Sequence, residues 1–140
     1  MFSPDRDTLR RYLAAAWHKS EAGLALEPLE RQIAALVHEH PEYQPLLAEP
    51  NAAIEHDYSP EGNEGNPFLH LGLHLALLEQ VTTDRPPGIR DHYQRLVKRT
   101  GDVHTAEHLA MECLAQALWE AQRAQRQPDE AAYIECLARL

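Results

Sequence analysis

The chain has 140 residues, the usual size of one domain and enough to bury a real core, and 22 acidic against 13 basic side chains give it a net charge of −9. That excess opposes the phosphate attraction behind most nucleic-acid binding, so nucleic acid is not an expected partner. No run approaches the roughly 20 apolar residues of a membrane span, and the opening MFSPDRDTLRRY has no apolar h-region, so a soluble, cytoplasmic protein is expected. Cys113 and Cys136 have no C-x-x-C partner, which indicates neither a disulfide framework nor a zinc knuckle and fits a reducing compartment.

Ser3 and Pro4 predict the start of a first helix running to about Lys19. Leu9, Tyr12, Leu13, Ala16 and Trp17 form its buried stripe, with Arg6, Arg10 and Arg11 on the polar face. After Gly23, Pro28 opens a second helix with Leu29, Ile33, Leu36 and Val37 inward, which Pro41 stops. The two make a helical hairpin over residues 1–40. His40 falls beside the second stripe and His38 points elsewhere, and neither is ranked as a ligand. From 41 to 65 the periodicity is lost among Pro41, Pro45, Pro50, Pro60, Gly62 and Gly65. A long connecting loop is expected, acidic through Glu49, Glu55, Asp57, Glu61 and Glu64, with one short helical turn around Tyr43, Leu46 and Leu47.

Asn66 to Val81, NPFLHLGLHLALLEQV, is the most apolar run in the chain. Asn66 is a good N-cap and Pro67 suits the first helical position, while the leucines wrap most of the circumference, so a helix buried among other helices is predicted. Gly72 is read as allowing a neighbour to come close. TTDRPPG (82–88) is a turn, and Ile89, Tyr93, Leu96 and Val97 mark a fourth helix ending at Gly101. Asp102 caps a fifth, to Gln125, with Val103, Ala106, Ala110, Leu114, Ala117 and Ala121 inward. Pro128 begins a last helix docked through Leu137 with Ala132 and Tyr133 or Ile134. The fold class is therefore all-α: a single-domain helical bundle of about six helices, whose core over 66–140 packs the Asp102 helix against the Asn66 helix.

Two helices carry paired histidines. His70 and His74, four residues apart, stand about 40° apart on the helical wheel and about 6 Å apart along the axis, so they share a face. His104 and His108 repeat the spacing and enclose Glu107 in the order H-x-x-E-H. Such pairs supply two imidazole nitrogens to a metal, and a neighbouring carboxylate ligates or acts as a base. His70, His74, His104 and His108 are the candidate ligands for zinc, iron or manganese, with Glu107 as extra ligand or catalytic base and Glu112 in reserve. H-x-x-E-H resembles the inverted zinc-peptidase motif. The resemblance spans five residues, and neither the larger α/β fold nor the downstream acidic ligand of those enzymes is read here. Di-iron carboxylate bundles need Glu-x-x-His, which no histidine of this chain completes. His70/His74 with His108/Glu112 mimic the H-x-x-x-H and H-x-x-x-E of hemerythrin-like proteins, but the order and the remaining ligands do not match.

A wider likeness covers nearly the whole length: F-x-P-x-R at the N-terminus, EPLE, HPEY, NPFLHLGLHLAL, RPPGIR, AEHLAMECL with LWEAQR, and DEAAYIECL. In this combination the chain resembles a bacterial family catalogued as domain of unknown function 1841. That implies a small, stand-alone bacterial protein and brings no activity, cofactor or catalytic residue with it. The expected function is metal binding through two histidine pairs, with hydrolysis open. The alternative is a non-enzymatic module that binds another protein or a second copy of itself, its histidines satisfied in the core.

Overall fold

A computed structural model describes residues 4–48, 50–55 and 66–140. Among these the fold is all-α, with eight α-helices, one 3-10 turn and no strand. The helices are α1 (Pro4–Glu21), α2 (Pro28–His38), α3 (Gln44–Ala48), α4 (Pro50–Glu55), α5 (Pro67–Thr83), α6 (Ile89–Thr100), α7 (Val103–Ala124) and α8 (Glu130–Ala138), with the 3-10 turn at Pro41–Tyr43. The stretch from 41 to 55, expected as mostly loop, is thus largely helical: its prolines sit at or next to helix starts, where a missing N–H costs nothing. Ser3, the acidic positions Glu49, Asp57, Glu61 and Glu64, and Pro60, Gly62 and Gly65 lie outside the described residues. The chain divides into two compact units, Met1–Gly72 and Leu73–Leu140, the boundary falling inside α5.

In the first unit α1 packs against α2, α3 and α4, so the expected hairpin is present. Most of each expected stripe is inward, but its first members are not. Leu9 and Tyr12 are 52% and 38% exposed, whereas Leu13, Ala16 and Trp17 are buried as expected, together with Arg10 and Ala14. In α2 Leu29 is exposed, while Ile33, Leu36 and Val37 are buried as expected, together with Glu30 and Ala34. Each stripe therefore begins with a charge, and each charge is satisfied. Arg10 donates from Nη1 to the Ile54 carbonyl at 2.8 Å and lays its guanidinium over the Phe68 ring, 5.0 Å from the centroid. Glu30 accepts from Lys19 Nζ at 2.8 Å and from the Glu27 N–H at 2.8 Å. These donors, Lys19 first, hold the Glu30 carboxyl below the ordinary carboxylate range.

α5 begins as predicted, with Asn66 Oδ1 accepting from the N–H groups of Phe68 and Leu69 at 3.0 and 3.1 Å. Its leucines are not uniformly inward: Leu71 and Leu77 are fully buried, while Leu69 is 58% exposed. Gly72 also departs from expectation. A Cβ built there meets nothing within 4 Å, so no close neighbour requires the glycine.

The second unit has a core of Leu77, Ile89, Leu96, Ala106, Ala110, Met111, Cys113, Leu114, Tyr133 and Leu137. Leu77 places the C-terminal part of α5 against the small alanine face of α7, as expected. Val103, assigned to that face, is exposed. Asp84 Oδ1 closes the 82–88 turn by accepting from Gly88 N and Arg90 N. Gly101, at φ 73°, ends α6, and Asp102 caps α7 through the Thr105 N–H at 2.9 Å. α7 stops at Gln125, itself left-handed at φ 54°, where the Arg126 N–H returns to the Ala121 carbonyl. α8 starts two residues after Pro128, capped by Asp129, and docks through Tyr133 and Leu137.

The chain reversal after α7 corrects one expectation. Cys113 and Cys136, 23 residues apart with no local pairing pattern, form a disulfide with Cα atoms 5.8 Å apart. Neighbouring positions on α7 and α8 bring them together, and sequence spacing cannot reveal that. The bond removes from this pair the reduced state on which the reducing-compartment expectation rested.

Two outcomes follow from these packing details. Gly72→Ala relieves the entropic cost of glycine within a helix and raises unfolding stability by about 0.5–1 kcal/mol in denaturant titration. Reducing the disulfide, or replacing Cys136 by alanine, releases a closed loop whose chain-entropy value is about 3 kcal/mol, read as a lowered thermal midpoint with dithiothreitol.

Candidate metal centre

α5 displays His70 and His74 one helical turn apart, the first in the N-terminal unit and the second in the C-terminal unit. Each meets a histidine of its own unit.

In the first unit His40 follows the end of α2 and is only 3% exposed. Its Nδ1 lies 2.7 Å from the carbonyl of Leu36, the residue four positions earlier on the buried stripe. The other nitrogen, Nε2, faces Nε2 of His70 at 3.1 Å. Tyr43 stacks on the His40 ring, with centroids 5.4 Å apart and an interplanar angle of 7°, and meets the His70 ring edge-on. Burial, with Glu42 adding to it, raises the Tyr43 phenol above its ordinary pKa.

In the second unit His74 is fully buried. Its Nδ1 is 2.9 Å from Glu107 Oε1, and its Nε2 is 3.2 Å from Nε2 of His108. Glu107, 8% exposed, also accepts from the Tyr93 hydroxyl through Oε2 at 3.3 Å. A chain of contacts thus runs from Tyr93 on α6 through Glu107 on α7 to His74 on α5. Burial first, and then the charge of Glu107 and its hydrogen bond, push the Tyr93 phenol far above its ordinary value. His104, one turn before His108, sets its ring 4.1 Å from that of His108 and 6.0 Å from that of His74, centroid to centroid.

The chemistry available is that of nitrogen ligands. Two nitrogens bound tetrahedrally at about 2.0–2.1 Å from a metal stand about 3.3 Å apart, close to both observed Nε2 separations. A carboxylate or carbonyl accepting from the far ring nitrogen is the usual outer support of a metal-binding histidine, and both His40 and His74 have one.

The family model described as Domain of unknown function (DUF1841) matches residues 5–139. The chain belongs to that family. No curated protein and no solved structure matches it. What this DUF1841 chain does must therefore be argued from its own side chains.

Of the residues singled out in the sequence, His74, His108, Glu107 and the ring of His104 gather in one unit of this DUF1841 chain, and His70 meets His40 in the other. Glu112 is exposed on α7. Among the described residues the ring nitrogens of His40 and His70 meet in the first unit and those of His74 and His108 in the second, with the His104 ring beside the second pair. His40 was missed, although its position four residues after Leu36 on an apolar stripe was a readable signal. Tyr93 was seen only as a core residue, because nothing local shows that its hydroxyl reaches a carboxylate 14 positions later.

The Tyr93 environment has a pH signature. Its folded pKa lies above the ordinary 10.0, so the associated stability is intact below pH 10 and is lost as pH rises toward the folded value. Ultraviolet titration of tyrosinate should show late-ionising phenols, of which one is lost in Tyr93→Phe and that of buried Tyr133 remains, and the variant should lose less stability between pH 10 and 11.5 than the parent.

Proposed function

We propose that this protein binds transition-metal ions at its histidine pairs, His40 with His70 in the first unit and His74 with His108 in the second. The observation that carries the reading is the twofold recurrence of one arrangement. In each unit two Nε2 atoms stand at the edge length of a metal coordination sphere, and one ring of the pair is held from behind by an oxygen acceptor. α5 carries one member of each pair, one turn apart. A set made only of imidazole favours zinc or iron(II), or another late first-row metal; manganese prefers oxygen ligands.

Glu107 serves in this reading as an orienting group. Its two oxygens are engaged by His74 and Tyr93, which favours positioning over the water activation of a hydrolytic enzyme. His104, beside His108, is the reserve ligand.

A second reading, an interaction module whose histidines are merely paired in the core, has support in one fact. Among the described residues no buried side-chain nitrogen or oxygen lacks a hydrogen-bond partner, so metal-free packing leaves no polar atom stranded.

Elemental analysis of untagged protein, with zinc and iron(II) titrations followed by calorimetry, separates the two. The metal reading expects stoichiometric binding, a thermal midpoint that rises with metal, and loss of the second unit's share of both in His74→Ala and His108→Ala variants that keep their helical content. A ratio of two ions per chain means that each pair takes its own, and one means that a single pair is occupied. Unaltered melting at millimolar metal leaves the interaction module.

A further inference from the structure

The hydrogen-bond chemistry of the two pairs fixes more than their membership. A neutral imidazole has one N–H donor and one lone pair, and which nitrogen holds the proton is decided by its partners. A main-chain carbonyl can only accept. His40 Nδ1, 2.7 Å from the Leu36 oxygen, must therefore be the N–H, which leaves Nε2 as the lone pair facing His70. In the other unit the Tyr93 hydroxyl donates to one oxygen of Glu107, and the carboxylate accepts at the other from His74 Nδ1. His74 Nε2 is then likewise a lone pair, facing His108.

Two lone pairs cannot face each other at 3.1–3.2 Å without something positive between them. Without a metal that something is a proton. It must sit on the second ring of each pair, so His70 and His108 are Nε2–H donors in the metal-free protein. With a metal between the nitrogens, both rings need an Nε2 lone pair.

We infer that each pair joins one fixed ligand to one exchangeable ligand: His40 and His74 are preset as Nε2 donors to metal, while His70 and His108 cover those lone pairs with Nε2–H until an ion displaces the proton. The inference rests on the metal reading for its second half only; the metal-free tautomers follow from the contacts of neutral rings, at a pH where none of the four is an imidazolium. In the exchange the Nε2–H bond of His70 or His108 breaks and its proton passes to water, a nitrogen–metal bond forms at the same atom, and the ring takes one proton back from water at Nδ1. The net proton count is unchanged. Both exchangeable rings are half-buried, which gives water a route to them, whereas His40 and His74 are buried. The arrangement also explains why imidazoles can be packed nitrogen to nitrogen in the absence of an ion: the cover proton is an internal substitute for the metal.

Long-range proton–nitrogen correlation spectra of protein labelled with nitrogen-15 in histidine test this directly. Without metal, His40 and His74 should show the Nδ1–H tautomer and His70 and His108 the Nε2–H tautomer. One equivalent of Zn²⁺ should convert His108, His70 or both to Nδ1–H and leave His40 and His74 unchanged. In Glu107→Gln the introduced amide can present an N–H as well as an oxygen. His74 should then populate Nε2–H and zinc affinity should fall about 10–100-fold, with His40 unaffected as an internal control. Finding His40 or His74 as Nε2–H in the parent protein overturns the preset ligands. Finding His70 and His108 unchanged with zinc bound overturns the exchange. If zinc does not bind at all, the exchange fails together with the metal reading, and the metal-free spectrum still decides the preset tautomers.

Discussion

The contact between His74 and Glu107 is the constraint around which the C-terminal unit is built. A fully buried imidazole needs a partner for each ring nitrogen, and leaving one unmet costs about 1–3 kcal/mol. Glu107 supplies the partner for Nδ1, and this fixes the rotation of α7 about its axis relative to the C-terminal part of α5. Once that rotation is set, His108 comes to Nε2 of His74, and the alanines at 106 and 110 turn into the core beside Leu77. Tyr93 then ties α6 to the same carboxylate. Polar satisfaction and apolar packing thus select one geometry, and the same geometry produces the candidate ligand set.

The N-terminal unit meets the same demand by a different route. The acceptor for His40 is a main-chain carbonyl of the helix that precedes it, so orientation of that ring depends on local chain geometry and needs no second helix. A carbonyl cannot change its charge or be lost by substitution, while Glu107 is a titratable side chain joined to a second one. If the pairs hold metal, support in the first unit is invariant, whereas support in the second responds to chemistry at Glu107 and Tyr93.

The other buried charges follow the same logic without any link to the site. Arg10 and Glu30 occupy positions where a leucine one residue earlier looked the better inward choice. Each is held by partners outside its own helix turn: the Ile54 carbonyl and Phe68 ring for the arginine, and Lys19 for the glutamate. Paired charges thus stand in for the leading leucines of the two stripes, whose later members Leu13, Ala16, Trp17, Ile33, Leu36 and Val37 set the inward face.

Local rules determined a good deal from sequence alone. Asn66 before Pro67, Asp102 before Thr105, and Gly101 at φ 73° are capping chemistries in which the residue and its partner lie within four positions, so the ends of α5, α6 and α7 were legible, as was the all-α class. The i, i+4 histidine pairs were legible for the same reason. Tertiary structure alone decided which histidines meet, that His40 joins His70, that Glu107 backs His74, and that Cys136 reaches Cys113 across 23 residues. Those outcomes depend on helix rotation and on chain reversal after Gln125, where a few degrees of backbone torsion move a side chain by many ångströms. Spacing along a helix fixes what one face can present; only packing fixes what that face will find.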